Sequence, residues 1–159
     1  SAGKIDEDDI AVMFYGRNNE KRLKKLMRHP LSRVVRNRGG VSRRKSLEKQ
    51  RSALILLQAT APGTGWMTSK IYEYLVARRP ILAIPRDGDG IEKLLEETGA
   101  GVSCSTGNEI KEQIMSWYDE WRATGTVVWR GDMAKIMRYS RKEQAGQTAA
   151  VFEQILDRN

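Results

Sequence analysis

The sequence predicts a doubly wound α/β domain, a parallel sheet with helices on both faces, and three observations carry that prediction. Short apolar runs (Ile10 to Tyr15, Ala53 to Leu57, Pro80 to Ile84) alternate with segments of helical length and periodicity. A glycine or proline turn follows each run, as the carboxyl ends of buried parallel strands require. At 159 residues and 40% hydrophobic composition, the chain can bury one substantial core, and nothing in it calls for two.

The elements follow in order. Ile10-Ala-Val-Met-Phe-Tyr-Gly16 reads as a strand buried on both faces and closed by a turn. A helix from Glu20 to about Arg28 places Leu23, Leu26 and Met27 on one side, and Pro30 stops it. Ser32 to Gly39 reads as a second, less apolar strand, after which Gly39-Gly40 turns the chain and Ser42 caps a very basic helix running to Arg51. Ala53-Leu-Ile-Leu-Leu57 is a buried strand that delivers the chain into the loop Ala61-Pro-Gly-Thr-Gly-Trp66, and a helix opened by the hydroxyl residues Thr68 and Ser69 comes next.

Pro80-Ile-Leu-Ala-Ile-Pro85 is another strand, followed by a polar turn and a helix from about Gly90 to Thr98, with Gly99 as its C-terminal cap. Gly101 to Cys104 makes a further strand. Asn108 to Ala123 is a longer helix whose apolar side carries Ile110, Ile114, Met115, Trp117 and Trp121. Gly125 to Trp129 reads as a short strand or an extended connection. Two helices, about Asp132 to Arg141 and Gln144 to Leu156, close the chain, with Ala149, Val151, Phe152, Ile155 and Leu156 expected to dock the last one.

Composition excludes several classes of function. A single cysteine, Cys104, rules out an internal disulfide, fits a reducing compartment and reads as a buried core thiol. A single histidine, His29, has no histidine or cysteine cluster with which to bind a metal or relay a proton to a nucleophile. No run of about 18 apolar residues exists to cross a membrane. Residues 1 to 9 read as an expression remnant and polar lead-in rather than a signal peptide, and residues 10 to 159 as the domain. The net charge is +8, and fourteen of the 28 basic residues fall between Arg17 and Arg51 against two acids, Glu20 and Glu48. Such a face suits nucleic acid, an anionic membrane leaflet or a phosphorylated small molecule, or is simply a solvated surface.

The loop from Ala61 to Ser69 holds the chemistry. Gly63, Thr64 and Gly65 bring bare backbone close to a ligand, and the amides at Thr68, Ser69 and Lys70 aim a positive dipole end at an anion. Lys70 and Glu73, three residues apart, share a helix face. There they offer a cation for phosphate oxygens and a carboxylate for sugar hydroxyls, a pairing suited to a nucleoside diphosphate. Asp87-Gly-Asp-Gly90 has the look of an Asp-x-Asp metal site, but aspartate and glycine after a strand are turn formers, and Asp89 is expected to cap the next helix.

Ser69-Lys-Ile-Tyr-Glu-Tyr-Leu-Val-Ala-Arg-Arg-Pro-Ile-Leu-Ala83, with Gly39-Gly-Val-Ser42 and Ala53 to Leu57 before it and Glu97-Thr-Gly-Ala-Gly101 after it, resembles the donor-binding C-terminal domain of group 1 (family 4-like) glycosyltransferases of the GT-B fold. The resemblance runs from about Ile10 to the C-terminal helices and implies a Rossmann-like nucleotide-sugar-binding domain. It places Glu73 at the second glutamate of the family's paired-glutamate motif, on the donor ribose. Gly63, Thr64, Gly65, Thr68, Ser69 and Lys70 would surround the diphosphate or donor sugar, and Gly40, Val41 and Ser42 would approach the base. Arg17 and Trp66 are further candidates. Two departures stand out. The first glutamate of the pair falls at Gly65, and the opening strand with its glycine-rich turn is not seen.

The function implied is sugar transfer from a nucleotide-sugar to an acceptor, metal-independent and retaining. The donor is a substrate, so no cofactor is implied. The main catalytic groups would lie in an N-terminal domain that these residues lack, and little transferase activity is expected of the chain alone. Implied partners are the nucleotide-sugar, that N-terminal domain, and an anionic membrane surface or lipid-linked acceptor, with a cytoplasmic location, peripheral at the inner face of the cell membrane. Two other readings compete. A nucleic-acid module would use the Arg33 to Arg51 face, yet no aromatic base-stacking platform accompanies it. A dinucleotide oxidoreductase would need G-x-G-x-x-G, and Gly63-Thr-Gly65 is followed by Thr68 where glycine belongs.

Overall fold

The computed structural model describes residues 5–16, 30–64 and 67–157. The helix expected from Glu20 to Arg28, and with it His29, lies outside those residues. Five short strands are described: β1 (Val12–Phe14), β2 (Val35–Asn37), β3 (Leu56–Ala59), β4 (Ile81–Ile84) and β5 (Gly101–Ser103). Every pairing is parallel. β1 pairs β2 with Val12 opposite Val35, while β4 lies between β3 and β5, with Ile81 opposite both Leu56 and Gly101. The doubly wound α/β class is met.

Among the described residues six α-helices connect and follow these strands: α1 (Arg43–Ser52), α2 (Lys70–Ala77), α3 (Gly90–Thr98), α4 (Gly107–Thr124), α5 (Met133–Met137) and α6 (Arg141–Leu156). β4 shows why the sheet needs cover on both sides. Its alternate residues Ile81 and Ala83 join one buried cluster with Ile71 and Leu75 of α2 and Ile91, Leu94 and Leu95 of α3. Leu82 points the other way, into a second cluster with Cys104, Trp117 of α4 and Val127. Cys104 is thus the buried core thiol that was expected, and Trp117 is core, with Trp121 partly buried beside it.

Parallel pairing also draws strand backbones close. A Cβ on Gly101 would run into the Ile81 carbonyl of β4, so only glycine fits at the head of β5. Arg78, at the C-terminal cap of α2, adopts a left-handed φ of 55°, a position where glycine is usual. The next residue, Arg79, donates from Nε to the Arg51 carbonyl at 2.8 Å, so the basic pair ties the end of α2 to the end of α1.

Several expectations are corrected. β2 is shorter than the predicted Ser32 to Gly39, because Pro30–Arg33 forms a 3-10 turn before it. Of the two alternatives left for Gly125 to Trp129, no strand forms: residues 127 to 130 join no sheet, although Val127 is buried. Asp89 holds the N-cap position of α3 as expected, but its side chain bonds Lys93 Nζ at 3.2 Å rather than the helix amides; the Asp87 carboxylate, two residues further back, accepts from Ile91 N at 2.9 Å and Glu92 N at 3.0 Å. Finally, the residues expected to dock the last helix are exposed: Phe152 is 62% and Leu156 73% accessible, and α6 buries nothing. Periodicity identified an apolar arc there but could not supply a surface for it to meet.

Candidate functional site

The carboxyl ends of β1 and β2 open into a cleft of about 310 Å³ lined by Tyr15, Gly16, Gly40, Val41 and Ser46. Its position follows from the fold, since parallel strands present their turns on one edge and those turns are where ligands lie. Gly40 and Val41 were expected to approach a base, and they line this cleft. Ser42, named with them, caps α1 by accepting from Lys45 N at 3.3 Å. The first turn of α1 holds no acid, and Arg43, Arg44 and Lys45 stand there at the positive end of the helix dipole.

A chain of side-chain hydrogen bonds runs from the cleft to Glu73. Ser46, on the cleft wall, accepts from Gln50 Nε2 at 3.2 Å, and the same nitrogen donates to Glu73 Oε2 at 3.3 Å. Lys70 Nζ approaches that same Oε2 at 2.7 Å. The ammonium of Lys70 holds the Glu73 carboxyl below its usual range, partly opposed by burial and helped by Gln50, so Glu73 is an anion ready to accept hydroxyl donors. Both bonds fall on Oε2, which leaves Oε1 toward other donors. Lys70 has three donor hydrogens, so one bond to Glu73 leaves capacity for a phosphate oxygen.

The described part of the loop is held by turns and hydrogen bonds. Gly63 has a φ of 71°, and Thr64 Oγ1 donates to the Ala61 carbonyl at 2.8 Å, closing a turn. The Thr60 hydroxyl bonds the Pro85 carbonyl, joining the loop after β3 to the loop after β4. Ser69 does not cap α2 with its side chain, since its backbone is already helical, and the first helical bond runs from Ile71 N to the Thr68 carbonyl at 3.2 Å. Gly65, Trp66 and Arg17 lie outside the described residues.

The structure therefore brings Gly40, Val41, Lys70 and Glu73 into one region by way of two residues that sequence reasoning passed over, Ser46 and Gln50. A signal was available. α1 has Leu47 as its one large apolar residue, so the face it turns to the domain had to be polar, and Ser46 and Gln50 at i, i+4 supply that face. Gln50 is only 7% exposed.

Fold and geometry together define a class: a doubly wound α/β domain with its cleft at the carboxyl edge of a parallel sheet and an anionic side chain beside it. Among solved structures, the chain is similar to that in the crystal structure of Anabaena Alr3699/HepE in complex with UDP, with a TM-score of 0.70 and 17% identity over 92% of this chain. The match spans 41% of the HepE chain, and at that identity the likeness is one of fold. No protein-family model and no curated protein sequence matches the chain.

Proposed function

We propose that this chain is the donor-binding domain of a GT-B glycosyltransferase, holding the nucleoside diphosphate of a nucleotide-sugar at the cleft and the start of α2. The observation that carries the reading is the fixed Glu73 carboxylate, ionised by Lys70 and joined through Gln50 and Ser46 to the wall of a backbone-lined cleft. A carboxylate held in that way suits a vicinal diol, and the glycine turns beside it suit the flat base and the phosphates. The UDP in the HepE crystal supports the same ligand class for a protein of this fold.

In this reading the cleft takes the base, Glu73 the ribose and Lys70 with the α2 amides the diphosphate. Breaking the sugar–phosphate bond leaves negative charge on the departing nucleoside diphosphate, and fixed dipoles with a lysine aimed there stabilise it as it forms. Transfer is metal-independent and retaining. The acceptor and the remaining catalytic groups belong to a second domain, and the electropositive first turn of α1 meets either the donor phosphates or an anionic membrane that presents the acceptor.

Calorimetric titration with UDP, GDP, ADP and their sugar conjugates tests the site, using the chain alone and joined to its second domain. One of the nucleotides is expected to bind, and Glu73→Ala to weaken it by about 10-fold or more, the worth of a hydrogen bond to a charged group. Failure of all of them to bind, or equal binding by Glu73→Ala, would sink the assignment. Robust sugar transfer by the 159-residue chain alone would refute the division of labour between two domains.

A further inference from the structure

The hydrogen-bond chain between Glu73 and the cleft has a direction. Glu73 is ion-paired with Lys70 at 2.7 Å, and an ionised carboxylate offers acceptors only. Gln50 must therefore turn its amide nitrogen toward Glu73, since the reversed amide would set oxygen against oxygen. The same Nε2 gives its second hydrogen to Ser46 Oγ at 3.2 Å, which makes the Ser46 hydroxyl an acceptor on the side facing Gln50.

A hydroxyl that accepts still has its own proton to give, and accepting polarises the O–H bond and strengthens it as a donor. Among the described residues, the only hydrogen bond made by the Ser46 hydroxyl is the one it accepts from Gln50. Other helical hydroxyls in this chain turn their proton back onto a carbonyl one turn earlier, as Thr98 does to Leu94 at 2.6 Å and Thr148 to Gln144 at 2.9 Å. Ser46 does not, and it stands on the cleft wall. Of the other residues lining that cleft, Gly16, Gly40 and Val41 have no polar side-chain atom, and the Tyr15 hydroxyl donates to Met13 Sδ at 3.6 Å. The cleft thus holds one side-chain proton with no acceptor in the protein, and its polarity is set from Glu73 by way of Gln50.

In the donor-site reading the cleft takes the base, so the acceptor for that proton is a base atom. A donor separates bases where one carries an oxo group and another an amino group, which is at C4 of pyrimidines and C6 of purines. Uracil and guanine present an oxygen there, whereas cytosine and adenine present hydrogens.

We propose that Ser46 is a base-reading residue of the cleft: its hydroxyl donates to the 4-oxo group of a pyrimidine or the 6-oxo group of a purine, so the site selects oxo-bearing over amino-bearing nucleotides. The inference rests on the donor-site reading and adds to it the class of base. An amino group opposite Ser46 sets donor against donor and leaves both unpaired, which is the source of the selection.

The experiment is calorimetric titration of the 159-residue chain with two pairs of ligands, UDP against CDP and inosine diphosphate against ADP. Each pair shares its sugar and phosphates. In the pair that wild type binds more tightly, the oxo member is expected to bind about 10-fold better than the amino member, one hydrogen bond's worth. Ser46→Ala removes the proton while favouring the helix, and should bring the two members within about 2-fold of each other. Ser46→Thr keeps the hydroxyl and should keep the preference. Wild-type indifference, or a preference for the amino member, overturns the proposal. So does a Ser46→Ala variant that weakens both members by one common factor, the signature of a residue that only supports Gln50. If Ser46→Ala does not melt cooperatively, Ser46→Thr decides, and loss of its preference refutes the donor role. Binding of none of the four nucleotides by wild type removes the donor-site reading and this inference with it, whereas binding without preference removes the inference alone.

Discussion

Replacing Asp87 by alanine should unfold the domain more easily by an amount that its hydrogen bonds allow us to work out. Asp87 follows β4, is 8% exposed, and its carboxylate accepts from the backbone of Ile91 at 2.9 Å, Glu92 at 3.0 Å and Asp89 at 3.4 Å. Two of these bonds satisfy amides of the first turn of α3, which have no partner within the helix. Hydrogen bonds to an ionised group contribute about 1.5–3 kcal/mol each, whereas loss of a helix cap costs about 0.5–2 kcal/mol because the freed amides recover some water. Asp87→Ala should therefore cost about 2–3 kcal/mol, or roughly 5–10 °C in Tm for a domain of this size. Asp87→Asn, which keeps one carbonyl oxygen, should lose about half as much.

Urea denaturation followed by circular dichroism measures the difference, and pH supplies a second check. Burial pushes the Asp87 carboxyl up, but the three backbone amides outweigh it and hold it below its ordinary value of 3.8. A carboxyl lowered in the folded state contributes stability that is complete above the unfolded value and is lost as pH falls through the folded one. The gap between wild type and Asp87→Ala should accordingly be constant near neutrality and narrow once pH drops below 3.8. A gap below about 0.5 kcal/mol, within the range of ordinary surface substitutions, would refute the capping account. So would a gap that stayed the same from neutral to strongly acid pH.

Three other outcomes follow from packing and backbone geometry. Gly101→Ala places a methyl group against the Ile81 carbonyl in the middle of the sheet and should destabilise by about 3 kcal/mol, read as a lower urea midpoint with an unchanged slope. Arg78→Gly relieves a left-handed residue at φ 55° and, after the entropy glycine adds to the unfolded chain, should stabilise by about 0.5 kcal/mol; a lower Tm would contradict this. Burial, with Glu109 adding to it, raises the Cys104 thiol above its usual range, so thiol reagents at mildly alkaline pH should label it only after unfolding, and rapid labelling of the folded chain would show the core reading to be wrong.

Much of the fold was legible because its signals are local. Apolar runs such as Ile81 to Ala83 are buried on both faces, and such runs mark parallel strands directly. Gly99 adopts the left-handed cap that its place after a helical pattern implied. The tail was different: its apolar arc was visible, but the absence of a surface beneath Phe152 and Leu156 depends on residues far away in sequence. Asp89 takes the cap position its type implied, but the side chain that bonds the first amides of α3 is that of Asp87, and this depended on loop geometry that residue identity does not encode. In the candidate site, Lys70 and Glu73 could be paired from their spacing alone, and the structure pairs them. Gln50 could not be placed beside Glu73 from sequence, since 23 residues and a strand separate them.

The Gln50 to Glu73 bond has a mechanical side as well. It is the side-chain joint between α1, which follows the β1–β2 pair, and α2, which follows β3. A ligand seated in the cleft and on Glu73 would brace the two parts of the domain against each other, so occupancy and resistance to heat rise together. A nucleotide at about 100 times its Kd would add about 2.7 kcal/mol to the folded state. On the proposed donor-site reading, the melting temperature of the domain thereby becomes a gauge of which base it holds.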